Sequence, residues 1–259
     1  MEKFNRGLFS ISMIIWGIIS SMSAGGKSSL VRAANFKDLQ RAAQDFRYLL
    51  NRGYPRKASL ELVGNRYGLI FDERHLLHRG VFSDADSVTR QKKIISPEAI
   101  RNKDLAIDGH NVLITIEAGL SGRPLILADD GFVRDISGLS GSFKKTEMTE
   151  KAIRLIVTFL RKWKPRHTLF LFDAPISKSG ILAQELRTLL KKEGLPGDAL
   201  AVKVPETILI GFQGVIATSD TAIIDRSKRV IDLAGDIIRA KIGSVSLLKL
   251  KRGRLIKKR

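Results

Sequence analysis

The sequence predicts an α/β protein: a mostly parallel sheet with helices on both faces, preceded by a small all-helical domain. Three observations predict it. From Asp104 onward, short apolar runs alternate with amphipathic stretches, the texture of a parallel sheet wrapped by helices. Several of those runs stop on aspartate. Between Asn35 and Gly80 the apolar residues recur only at helical spacing. A hydrophobic share of 44% is enough for a buried core, and 259 residues allow one large domain or two small ones.

Residues 1–35 form a leader. Gly7 to Gly26 carries no charge over 20 residues and follows Lys3 and Arg6. Its apolar part, Leu8–Ile19, reads as a disordered leader, a signal peptide or a weak membrane anchor. The following "GGKSS" imitates the end of a phosphate-binding loop, but Ser21 stands where the leading glycine belongs, so the match is accidental.

Residues 36–80 read as three helices. Phe36, Leu39, Ala43, Phe46 and Leu50 define the first, which Gly53 ends. Pro55 opens the second, with Ala58, Leu62 and Val63 inward. Asp72 is the expected N-cap of the third, ahead of Leu76 and Leu77. Arg47, Arg52, Arg56 and Lys57 lie among these helices. The group reads either as a helix-turn-helix-like nucleic-acid binder or as a helical cap on the next domain. The polar residues 81–103 read as a linker.

In residues 104–238, "LAID" is a strand ending on Asp108, with a turn at Gly109 and the chain resuming after Asn111. Pro124 to Asp130, "PLILADD", is a second apolar run ending in carboxylates. A helix capped by Thr146 follows. Thr168 to Pro175 holds a strand ending on Asp173, then a helix closed by Gly194. Gly214 to Asp220 is a strand ending on Asp220, and "RVIDLAGDIIRAKIG" supplies a last short strand and helix. Residues 239–259 are a basic tail with nine basic and no acidic side chains, among them Lys251, Arg252 and Arg254.

Charge narrows the partners. The chain has 45 Lys+Arg against 26 Asp+Glu, a net +19, while residues 104–238 are almost balanced. Basic flanks around a neutral middle suit a polyanion held by the arms and worked on by the centre. With no cysteine, disulfides, thiolate zinc sites and cysteine nucleophiles are excluded.

The strand-end aspartates carry the chemistry. In a parallel sheet, C-terminal strand ends share one edge, the edge where open α/β sheets bind ligands. Asp108, Asp173 and Asp220 on one edge repel one another unless a cation or protons intervene. An all-oxygen set suits Mg²⁺ or Mn²⁺. Asp129 and Asp130 are further candidate ligands. Asp225 joins only if its segment is a loop or a looser turn, because on a helix it lies about 140° from Asp220. Gly109 would let the backbone approach the metal, and Asn111 would offer an oxygen or an amide donor beside it. His110 reads as a turn residue. Singly, each aspartate also reads as a cap or turn residue.

"IDGHNVL", "LFLFDAP" and "VIATSD" resemble the metal-binding strand ends of PIN-like nucleases, especially the NYN branch. The longer run from "FRYLLNRGYPRKASLELVGNRY" through "LAIDGHNVLITIE" and "FDAPISKSG" to "ATSDTAIID" resembles the mostly archaeal domain-of-unknown-function 434 family, over about residues 36–238. That family implies no established activity. The PIN-like resemblance covers residues 104–238 and implies a Rossmann-like fold, with Asp108, Asp173 and Asp220 as metal ligands and Asn111 as the NYN asparagine. Such domains carry a helix-borne acid between the second and late strands, and Glu185 is the nearest candidate here. The loop holding Asp129, Asp130 and Asp135 has no counterpart in simple PIN domains.

Two functions are expected. One is a metal-dependent ribonuclease, with the basic helices and tail holding the RNA backbone. The other is a non-catalytic RNA-binding or ribosome-associated protein that keeps the fold. RNA rather than DNA follows from the NYN resemblance alone. Either suits a cytoplasmic protein, and Leu8–Ile19 leaves a membrane-tethered form open.

Overall fold

The computed structural model describes residues 36–136, 143–176, 178–242 and 247–250. These fall into two compact units, residues 36–83 with Leu250, and residues 84–249. No helix among the described residues is long and apolar enough to cross a membrane. Leu8–Ile19, Lys251, Arg252 and Arg254 lie outside the described residues.

The first unit holds α1 (Phe36–Asn51), α2 (Arg56–Arg66) and α3 (Phe71–Gly80). Leu39, Ala42, Ala43 and Phe46 bury one face of α1, as the spacing predicted, and Gly53 turns the chain at φ +79°. Helix α2 departs from expectation. Val63 is buried, but Ala58 is exposed and Leu62 is 61% exposed. Helix α3 begins at Phe71, one residue before the expected cap Asp72. Ile70 precedes it, and the Glu73 carboxylate accepts the Ile70 N–H at 3.1 Å.

In the second unit the sheet order is β5-β4-β1-β6-β7, all parallel. The strands are β1 (Asp104–Asp108), β4 (His167–Asp173), β5 (Gly197–Val202), β6 (Val215–Ala217) and β7 (Val230–Ile231). Side chains alternate along each strand. Leu105, Ile107, Phe170, Phe172, Val215 and Ala217 join one core, with α5 (Gly109–Leu120), α6 (Glu147–Trp163), α7 (Ser179–Lys192) and α10 (Leu233–Lys241). Ala106, Leu171 and Ile216 join the other, with α8 (Pro205–Gly211) and α9 (Thr221–Arg226). Helices therefore cover both faces, as expected. Strand β5 and helix α8 were not foreseen.

Three expectations are corrected. Residues 81–103, expected as a linker, carry α4 (Asp84–Gln91), and Ile94 bridges to Val230 beside β7. The "PLILADD" run is not a strand of the parallel sheet. Its β2 (Leu125–Leu127) forms a hairpin with β3 (Val133–Asp135) in a separate sheet, completed by β8 (Leu247–Leu248). That sheet also removes residues 247–248 from the basic tail, and α10 removes 239–241.

The chain behind Asp108 is a helix, α5, rather than a turn. Gly109 answers to packing. A Cβ there would lie 2.3 Å from the Phe172 ring and 2.9 Å from the Leu171 carbonyl oxygen. Gly109→Ala is expected to destabilise by about 1–3 kcal/mol, the usual cost of overpacking. Urea denaturation checks this, and a neutral result would mean that β4 yields easily.

Candidate functional site at the β1–β6 strand ends

The topology creates one crevice. Helix α5 leaves β1 toward one face, while α9 follows β6 on the opposite face. Where neighbouring strands send their helices to opposite faces, their C-terminal ends leave a cleft. Asp108 ends β1, and Asp220 follows β6 as the N-cap of α9, its Oδ1 accepting the N–H groups of Ala222 and Ile223 at 2.8 and 3.2 Å. The predicted cap role of Asp220 is thus real, and it leaves the exposed carboxylate at this edge.

Asp108 is buried. The Thr218 hydroxyl donates to its Oδ2 at 2.8 Å, and the same hydroxyl oxygen accepts the Asp220 N–H at 3.1 Å. Burial pushes the Asp108 carboxyl up to about 7; the Thr218 hydroxyl opposes this, and the charges of Asp220 and Asp173 add to it. Asn111, on the first turn of α5, ties the two strand ends together. Its Oδ1 accepts from both the N–H and the hydroxyl of Ser219, at 2.9 and 3.0 Å. Because Ser219 N–H demands an acceptor, the oxygen of Asn111 is used inward and its amide donor is the group that remains.

Asp173 ends β4, half-exposed. Its neighbour His110 is not a turn residue: it is buried in the first turn of α5, edge-on to Phe143 and Phe172. The Asp173 N–H donates to His110 Nδ1 at 3.2 Å, so the ring proton sits on Nε2, aimed at Ser179 Oγ 3.4 Å away. Burial lowers the His110 pKa against the pull of Asp173. The imidazole is therefore neutral, and the 3.3 Å approach of Asp173 Oδ2 to Nδ1 is not an ion pair.

The other predicted acids go elsewhere. Asp130 is fully buried and accepts both Nη groups of Arg134 at 2.7 and 2.8 Å, with Arg90 Nη1 at 3.4 Å. Asp225 lies on α9 and takes a two-point contact from Arg90, at 2.6 and 2.8 Å. Both are neutralised by arginine, which removes the reason for a metal there. Asp129 precedes Asp130 in the β2–β3 hairpin, and its carbonyl accepts from Gln91. Glu185 pairs with Lys145 at 2.6 Å. Arg134 Nε donates to the Ser219 carbonyl at 2.8 Å, which anchors the Thr218–Asp220 segment to the buried charge network. Among the described residues no three His, Asp or Glu side chains already converge at metal-binding distance.

In the first unit, Arg47 is buried at 6% exposure. Arg56 packs its guanidinium over the Phe46 and Phe82 rings and donates to the Val81 and His78 carbonyls. Arg47 is thus turned into the fold, and Arg56 is half-buried with its guanidinium already engaged. Arg52 and Lys57 are exposed, Arg52 over the ring of exposed Tyr48 at 4.7 Å.

Residues 38–93 match the family model described as a protein of unknown function, DUF434. Residues 97–236 match that described as a domain of unknown function, DUF5616. An uncharacterized protein of Methanocaldococcus jannaschii is 35% identical over 202 residues, 77% of this chain and 96% of that relative. The chain belongs to the DUF434 family, with a DUF5616 domain behind it. No solved structure matches it. The DUF434 match is narrower than the resemblance over residues 36–238 implied: it covers the three helices and α4, and the whole Asp108 site falls in the DUF5616 segment.

Proposed function

We propose that residues 84–249 form a PIN-like, metal-dependent phosphodiesterase that hydrolyses RNA at the Asp108 site. The observation that carries this reading is Asp108, a buried carboxyl at the sheet's switch point, destabilised as an anion by burial and by Asp220 and Asp173. Structural carboxylates are normally paired; one held against its own ionisation is suited to a cation or a proton.

The donor set fits Mg²⁺ or Mn²⁺. The ion commonly keeps several waters and binds through one or two carboxylates plus substrate phosphate, so a closed cage of three acids is not required. Asp108 with Asp220 or Asp173 would hold it, and when bound it would polarise the phosphoryl group and supply an activated water. The chain's own groups do the rest. Thr218 fixes the Asp108 carboxyl, Ser219 holds the Asn111 oxygen and so leaves its amide as a donor, and neutral His110 accepts the Asp173 N–H. Arg52, Lys57 and the basic tail would hold the phosphate backbone without reading sequence.

The test is cleavage of a labelled RNA by the full chain with Mg²⁺, Mn²⁺ or EDTA. Turnover is expected with metal, with loss of about 10³-fold or more in Asp108→Asn. RNA affinity is expected to stay within about threefold, since phosphate contacts lie elsewhere. RNA binding without turnover under any of these conditions would favour the second reading, a non-catalytic RNA-binding protein that keeps the fold.

A further inference from the structure

The first unit carries more exposed apolar side chains than its size predicts. Among the described residues, Tyr48, Tyr54, Leu62, Ile70 and Phe71 stand exposed in residues 36–83, against four large hydrophobic side chains in the much longer second unit. Charge separates the aromatic ones. Phe71 is followed by Asp72 and Glu73, which oppose a polyanion. Tyr48 and Tyr54 lie between Asp45 and Glu61, a stretch that holds Arg47, Arg52, Arg56 and Lys57 and no acid. Arg47 is buried and Arg56 half-buried, but Tyr48, Arg52, Tyr54 and Lys57 are exposed. The backbone holds both rings in place. Tyr48 sits in the last turn of α1, with the Arg52 guanidinium 4.7 Å from its ring centre. Tyr54 follows Gly53 at φ +79°, its N–H donates to the Leu49 carbonyl at 3.2 Å, and Pro55 behind it leads into α2. Tyr48 is 57% and Tyr54 56% exposed, so both offer ring surface to a ligand even with Arg52 laid over one of them.

We propose that Tyr48 and Tyr54 are stacking platforms for the bases of single-stranded RNA, with Arg52 and Lys57 on the phosphates beside them. Every base has a π-face, so the two rings accept any sequence, and the guanidinium over Tyr48 adds a flat surface and a positive charge. Bases in a duplex are stacked on one another and offer no free face, so this corner selects unpaired strands. Arg52 and Lys57, with no acid between Asp45 and Glu61, favour a polyanion over an apolar protein partner. The choice of RNA rests on the nucleic-acid reading above. The platforms deepen that reading by naming an unpaired strand as the substrate and by placing its grip at the end of α1 and in residues 52–57.

The test is equilibrium binding of the full chain, in EDTA so that no strand is cut, to a short unstructured RNA, to its duplex and to the same strand without bases. The intact single strand is expected to bind best. Tyr48→Ala and Tyr54→Ala are each expected to weaken it at least roughly fivefold, the low end of what one stacked base contributes. Both should leave the duplex and the baseless strand unchanged. Tyr48→Phe and Tyr54→Phe keep the ring and are expected to bind as the wild type does, with the same quenching of a fluorescent purine analogue in the strand. Lys57→Glu is expected to weaken all three ligands alike. These positions are exposed, so the variants should fold with an unchanged Tm. Asp108→Asn is expected to leave the alanine effects as they are, so the platforms and the proposed metal site fail separately. Alanine variants that bind the single strand as tightly as the wild type overturn the platforms and leave RNA binding by the chain intact. An equal loss on the baseless strand, or a change of oligomeric state on removing the tyrosines, overturns them as well. A wild-type chain that binds none of the three ligands overturns the platforms together with the RNA reading.

Discussion

Asp130→Ala is expected to lower stability by about 3–5 kcal/mol, the cost of removing one partner from a buried ion pair. Asp130 is fully buried and receives both Nη groups of Arg134, which is itself buried, and approaches Arg90 at 3.4 Å. Alanine would take the Asp130 carboxylate away from the buried Arg134 guanidinium in a region of low dielectric, while Arg90 would keep its two-point contact with Asp225. Replacing the whole network by apolar residues could be neutral; removing its anion alone is not. The contrast is Asp225→Ala. That side chain is half-exposed although it makes the shorter contacts with Arg90, so its loss is expected to cost about 1 kcal/mol or less. Chemical denaturation of both variants checks the order. A loss under about 1 kcal/mol for Asp130→Ala would mean that water or relaxation compensates the arginines. Because Arg134 also holds the Ser219 carbonyl, loosening this network should disturb the Asn111–Ser219 contact and lower any activity at Asp108.

The sheet edge was legible because burial and charge conflict in the sequence itself. An apolar run that stops on Asp108 or Asp173 cannot hide its last side chain from the strand-end crevice, so the periodicity alone places those two carboxylates. The Asp129–Asp130 pair was misplaced for an identifiable reason. "LIL" looks like any buried strand, but Asp130-Gly131 between two short apolar runs is a hairpin signal, and Gly131 does adopt φ +89°. Strand β5 was missed because "GDALAV" has one β-branched residue, opens on Gly197 and Asp198 and is mostly half-buried, as an edge strand tolerates.

His110, Thr218 and Ser219 could not be found from spacing. Each acts through a partner far away in sequence, and their only signal was adjacency to Asp108, Asn111 and Asp220. Arg47 and Arg56 show the opposite failure. Their helical positions resemble those of Arg52 and Lys57, and burial of Arg47 and the Phe46 and Phe82 rings under a half-buried Arg56 set them apart from the exposed Arg52 and Lys57.

Asp108→Asn is expected to raise stability at pH 8 by on the order of 2–4 kcal/mol in metal-free buffer and to remove a pH dependence that the wild type shows. The folded carboxyl ionises near pH 7 and its ordinary value is 3.8. Between these values the folded state keeps a proton that the unfolded chain has released. Wild-type stability should therefore fall as pH rises from about 4 to about 7 and level off above that. Asparagine carries no charge to bury, and its Oδ1 can still accept the Thr218 hydroxyl. A cation at the site reverses the balance. It favours the ionised carboxyl, so Mn²⁺ should bind more tightly at pH 8 than at pH 6, displacing a proton at the lower pH. At a hundred times its Kd it should stabilise the wild type by about 2.7 kcal/mol and leave the asparagine variant unmoved. Thermal unfolding across pH, with EDTA and with Mn²⁺, separates the outcomes. If the variant keeps the wild-type slope, another buried acid is responsible, and Asp232, whose carboxyl burial pushes up to about 6, is the next to replace. If the slope vanishes and Mn²⁺ still does nothing, Asp108 is a buried acid that binds protons and not metal, and the phosphodiesterase reading falls with it.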